Sequence, residues 1–76
     1  MTKSQFLSSL QEVLEVDVDL TEDTNLRELE GYDSMAVLSI IAFFDEHFQQ
    51  TVDAERFEDV TTVSDLMGLI GHDRFD

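Results

Sequence analysis

Between Asp33 and Gln49 the chain carries its longest apolar-patterned run, and the width of that pattern limits the fold more than any other feature. At about 100 degrees per residue, Phe43, Ile40, Phe44, Val37, Phe48, Ile41 and Leu38 follow one another around a helix over an unusually wide arc. A helix with so broad an apolar face must be covered from two or more sides. The segment 34–49 is therefore expected to be the central member of a small helical bundle. Its start is abrupt. Gly31-Tyr32-Asp33-Ser34-Met35 closes a polar, acidic connector, and Asp33 and Ser34 are both good N-cap residues, so Ser34 stands in the first turn with its hydroxyl exposed. Free backbone N–H groups and the positive end of the helix dipole favour an anion at that place. By itself an Asp-Ser pair before a helix signals only a cap.

The flanking segments supply the covering elements. Thr2 and Gln5 have capping-box spacing, and Phe6, Leu7, Leu10, Val13 and Leu14 mark one face of a helix over 4–16. The connector 17–33 is long for so small a chain. Loops beyond about 12–15 residues are usually functional or tied down, so Leu20, Leu26 and Leu29 are expected to dock, with a turn of helix over 26–30 and a chain reversal at Gly31. Val52, Phe57 and Val60 leave room for a short third helix over 54–58. Thr62 and Asp65 open a last helix over 62–70 that Gly71 closes, and 72–76 read as a frayed tail. No repeat, low-complexity run or strand pattern competes. The pattern predicts an all-α fold, a small four-helix bundle of three main helices and one short one with a long first loop, as a single domain over 1–76.

Composition then excludes whole classes of function. Eighteen acidic residues against four basic ones give a formal charge of -14, which repels phosphate backbones and anionic lipid surfaces, so neither nucleic acid nor membrane is an expected partner. The same field favours proteins with basic docking patches. Hydrophobic residues at 42% still suffice for a core. The absence of cysteine removes disulfides, thiolate zinc sites and thiol catalysis, and it fits a reducing, cytoplasmic setting. Any thiol chemistry has to arrive on a prosthetic group. The N-terminus has no basic region followed by a continuous apolar stretch, and no run of about 18 apolar residues occurs, so the chain reads as soluble and unprocessed. A monomer is expected.

The candidate catalytic and metal constellations fail on geometry. Ser34 and His47 sit thirteen residues apart on one helix, roughly 20 Å, which excludes a nucleophile–base dyad. No glycine follows Ser34 closely, so the Gly-x-Ser-x-Gly elbow is absent, and His72 falls in the expected tail. Asp17, Asp19, Thr21, Asp23, Asn25 and Glu28 approximate the ligand spacing of a calcium-binding EF-hand, but Glu22 stands where the sharp turn needs glycine. The reading is therefore no enzyme and no metal site. Met35 falls outside the apolar arc beside Ser39, Glu46 and Gln50, where an exposed methionine offers an adaptable contact.

Taken together, the first amphipathic helix, the long acidic loop, Asp33-Ser34-Met35 opening the second helix, Phe48 near its end and Val60-Thr61-Thr62-Val63 before the last helix resemble an acyl carrier protein over nearly the full chain. The resemblance implies that Ser34, in the Asp33-Ser34 motif, receives 4'-phosphopantetheine from coenzyme A through a phosphopantetheinyl transferase, and that acyl groups ride on the arm as thioesters. It also implies a docking surface at Met35, Leu38, Ala42, Asp45 and Glu46 for acyl-transferring, condensing or modifying enzymes, and an acyl pocket near Val37, Ile40, Phe44 and Val60, restricted by Phe43 and Phe44. Ala36 and Ser39 occupy positions that are commonly acidic in fatty-acid carriers, and the Gly31-Tyr32-Asp33-Ser34 form is similar to carriers of specialised pathways, fatty-acid, polyketide or related. The alternative is an unmodified acidic adaptor that binds a basic protein.

Overall fold

The computed structural model describes residues 1–75 and shows a small all-α bundle, with no β-strand among the described residues. Helix α1 (Lys3–Leu14) starts at a capping box in which Gln5 N–H donates to Thr2 Oγ1 at 3.1 Å and Thr2 N–H donates to Gln5 Oε1 at 3.0 Å. Phe6, Leu10 and Leu14 form its buried stripe. It ends at Leu14 and not at 16, because Glu15 turns left-handed at φ 55° and closes the last turn on the Gln11 and Glu12 carbonyls.

The connector is held by more than its leucines. Leu20 and Leu26 are buried and Leu29 packs against the core. A short 3-10 helix, Leu26–Glu28, is capped by Asn25, whose Oδ1 accepts from Arg27 N–H at 2.9 Å. Backbone bonds then tie the loop to the start of the last helix: Leu26 N–H to Thr61 O at 2.8 Å, Ser64 N–H to Glu22 O at 2.9 Å and Val63 N–H to Thr24 O at 3.1 Å. Gly31 passes so close to α1 that a Cβ there would lie 3.0 Å from the Leu14 carbonyl oxygen.

Helix α2 (Ser34–Phe48) buries Ala36, Ile40, Phe43, Phe44 and Phe48 and ends where Gln49 turns left-handed at φ 53°. As its wide arc requires, it is covered by α1 on one side and by the segment Ala54–Asp59 on another. That segment is a 3-10 helix with Phe57 as its only buried residue, too sparsely anchored to sustain a regular α-helix. Helix α3 (Val63–Gly68) follows a Thr62–Asp65 capping box, so Thr62 is the cap and not the first helical residue. It ends at Gly68, two residues short of the expected 70, and Gly71 at φ 101° then turns the chain.

The tail differs most from expectation. His72–Arg74 form a 3-10 turn, and Phe75, only 7% exposed, lies 4.9 Å from the Phe6 ring and 5.5 Å from the Phe48 ring, centroid to centroid. Arg74 donates to Phe48 O and Gln50 Oε1, at 3.4 Å and 3.2 Å, and covers the Phe48 ring. The aromatic seam, not local propensity, orders this end; Asp76 lies outside the described residues. The core contains no buried polar or charged residue among those described, so the acidic charge is carried at the surface.

Candidate functional site

Ser34 is the first residue of α2 and is exposed. Asp33 supplies the cap, in extended backbone geometry, and its Oδ1 accepts from Ala36 N–H at 3.0 Å while its carbonyl accepts from Val37 N–H at 3.1 Å. The Ser34 and Met35 N–H groups have no partner among the described residues. The first turn thus offers an open hydroxyl, two unspent donors and the positive end of a four-turn helix, a setting that suits a phosphate ester.

Beside Ser34 an open cavity of about 380 Å³ lies between α2 and the 3-10 helix Ala54–Asp59, in the range of about 300–1,000 Å³ for small-molecule sites. Ser34, Val37 and Leu38 line it from α2, Ala54, Phe57 and Glu58 from the 3-10 helix, and Arg27 and Tyr32 from the connector. A larger hollow of about 580 Å³ runs between α1 and α2 and does not reach Ser34. The smaller cavity is the relevant one, because Ser34 itself lines it.

Arg27 fixes the far wall. Its Nε donates to Val60 O at 2.9 Å and its Nη2 to Glu58 O at 2.7 Å and Phe57 O at 3.4 Å, closing carbonyls at the end of the 3-10 helix. Tyr32 leaves its hydroxyl oxygen buried and without a partner among the described residues. Such an orphan costs about 1–3 kcal/mol. Burial pushes the phenol's pKa up, against a smaller opposing effect of Arg27, so Tyr32 stays neutral and a donor.

Of the four residues expected to form an acyl pocket, only Val37 reaches this cavity. Ile40, Phe44 and Val60 are at most 1% exposed and sit in the closed core, where Phe44 stacks on Phe6 and meets Phe43 and Phe48 edge-on or tilted. Five phenylalanines, Phe6, Phe43, Phe44, Phe48 and Phe75, pack ring against ring around Phe44 in that core. The expected docking residues share one exposed face of α2: Met35 and Leu38 are 72% and 59% exposed, and Ala42, Asp45 and Glu46 are exposed beside them. No sequence pattern marks Arg27, Tyr32 or Phe57 as lining a cavity. The available signal was Arg27 itself, the one basic residue in an otherwise acidic connector.

The sequence of residues 4–70 matches the family described as the phosphopantetheine attachment site. This chain belongs to that family. Comparison with curated proteins and with solved structures returned no match. Its prosthetic group is accordingly 4'-phosphopantetheine, and the chain is a carrier, of a family whose members are non-catalytic and engage phosphopantetheinyl transferases and partner enzymes. No helix among the described residues is long and apolar enough to cross a membrane.

Proposed function

We propose that Ser34 is the attachment residue and that the whole span works as one carrier domain for acyl intermediates. What carries this reading is the position of Ser34, exposed at the first residue of α2 with open N–H groups around it and an apolar cavity beside it, in a chain of the phosphopantetheine-attachment family. In the loading step the Ser34 Oγ–phosphorus bond forms, the pyrophosphate bond of coenzyme A breaks, the hydroxyl proton leaves to a base of the transferase, and adenosine 3',5'-bisphosphate departs. The arm supplies the thiol that the cysteine-free chain lacks. Asp33 holds the turn that presents the hydroxyl, and the α2 dipole with the Ser34 and Met35 N–H groups offsets the ester's negative charge.

The exposed face of Met35, Leu38, Ala42, Asp45 and Glu46 gives a partner with a basic patch an apolar centre and an acidic rim. Ser39 on that face, and Ala36 buried next to it, carry no carboxylate, which favours partners in specialised fatty-acid, polyketide or related biosynthesis. The carrier works as a cytoplasmic monomer. Intact mass tests the reading: with coenzyme A and a permissive transferase the protein gains one phosphopantetheine, and Ser34→Ala gains none. Loading that persists in Ser34→Ala, or none in wild type across several transferases, refutes it. An adaptor would instead keep its activity in Ser34→Ala and lose it on charge reversal at Asp45 and Glu46.

A further inference from the structure

A second concavity lies on the α1 side of α2, away from the Ser34 cavity. Hollows of about 580, 350 and 530 Å³ follow one another along the seam of α1 and α2 and onto the connector. Val13 and Ser39 belong to both the first and the second, and Glu15 and Gly31 to both the second and the third, so they form one furrow. Its α2 wall extends from Asp33 to His47, roughly 21 Å at ~1.5 Å per residue. The floor is apolar. Val13 and Phe43 supply it between the helices, and Val16, Leu29 and Val18 at the connector end. Val18 is 51% exposed, an apolar side chain that neither the core nor the Ser34 cavity uses. Exposed carboxylates line the same furrow: Glu12, Glu15 and Glu46 along the helices, and Asp17, Glu28 and Glu30 at the connector.

Nothing within the chain neutralises this charge. No lysine or arginine lines the furrow. Lys3 pairs with Glu22 at 3.6 Å, Arg27 is spent on the Phe57, Glu58 and Val60 carbonyls, Arg56 belongs to the 3-10 segment and Arg74 covers Phe48. We propose that the furrow docks a basic amphipathic helix of a partner protein, about four turns long, with apolar side chains on the floor and Lys or Arg against the flanking carboxylates. A helix fits better than an extended peptide, because it satisfies its own backbone while this bundle has no β-strand edge among the described residues. A second copy of the chain does not fit, since each carries a charge of -14. The site differs from the Met35–Glu46 face in resting on α1 and the connector. Because α2 separates it from the Ser34 cavity, a partner seated there holds the carrier while that cavity stays open to other enzymes.

The probe is a synthetic helical peptide of about 15 residues with a leucine stripe and Lys and Arg elsewhere, set against a scramble of the same composition that lacks the stripe. Both are titrated into the unmodified protein at about 0.15 M salt, where screening weakens attraction by bare charge. The striped peptide should bind about tenfold more tightly than the scramble and shift the amide resonances of Val13, Gly31 and Ser39. Glu12→Lys with Glu30→Lys, at exposed sites in the furrow, should weaken it about tenfold. Glu55→Lys with Asp59→Lys changes the net charge equally on the 3-10 segment and should have little effect; circular dichroism verifies that both pairs fold. Ser34→Ala should bind like wild type. No binding of the striped peptide, equal binding of the two peptides, equal losses from the two charge pairs, or shifts confined to the Ser34 cavity overturn the furrow and leave the attachment reading intact. Failure of phosphopantetheine loading overturns that reading alone.

Discussion

Replacing Phe75 by alanine tests whether the C-terminal turn is part of the folded core. A buried aromatic removes about 150–250 Å² from water, worth roughly 4–6 kcal/mol at ~25 cal/mol/Å². The residual compactness of the unfolded chain lowers this by about 10–40%. Alanine keeps the Cβ and the neighbouring side chains can partly close over the gap, so the expected loss is about 3 kcal/mol, the lower end of measured Phe→Ala costs. Phe75 supports this figure by its 7% exposure and its contacts with the Phe6 and Phe48 rings. For 76 residues the total is roughly 4–11 kcal/mol, so the loss is a large fraction of it. Urea unfolding followed by far-ultraviolet circular dichroism measures it; the midpoint should fall with an unchanged slope, and Tm should drop by roughly 12–24 °C. A loss below about 1 kcal/mol refutes the docking of this segment and restores the frayed tail that the sequence pattern suggests.

Two further substitutions separate the roles of the caps. Asp33→Ala removes the acceptor for Ala36 N–H and should cost the unmodified protein about 1 kcal/mol, while Asp33→Ser should retain most of it; equal stability of all three by urea unfolding refutes the cap. Asp65 has its pKa lowered, chiefly by the Thr62 N–H and then by the Thr61 N–H, so its stabilisation is present above the ordinary carboxylate pKa and lost as pH falls through the folded value. Asp65→Asn should therefore melt below wild type at neutral pH and converge with it in acid, whereas a gap independent of pH in thermal scans contradicts that assignment.

Legibility in the sequence followed the kind of force involved. The wide arc of α2 and the capping pairs at Thr2–Gln5 and Thr62–Asp65 are local or periodic signals, and they locate the helices. Ser34 at the start of α2 was readable for the same reason. The pinning of the connector to Thr61 and Ser64 is made of backbone bonds across nearly forty residues, which no side-chain pattern encodes. Phe75 escaped because a single aromatic near a chain end has no periodicity, although Phe6 and Phe48 needed a covering ring. The cavity wall was hidden likewise: Arg27 and Phe57 become neighbours only through tertiary structure, and Ile40, Phe44 and Val60, apolar and well placed by period, are consumed by the core.

The two sides of the Ser34 cavity are held by unequal forces. On one side α2 buries five residues in its core seam and is capped at both ends, so its first turn is as firm as the bundle itself. On the other, the Ala54–Asp59 segment has Phe57 as its one buried anchor, and its last turn depends on the Arg27 guanidinium for carbonyl partners. Local opening follows the least buried surface, so space beside Ser34 is gained by movement of that segment and not of α2. Arg27 then has two effects from one position. It braces the wall that yields most readily, and it sets a positive charge in the cavity lining beside Glu58, adding to the attraction for negative charge that the Ser34 and Met35 N–H groups already provide. A basic residue alone in an acidic connector is thereby explained by the architecture of the site, without recourse to the overall charge of the chain.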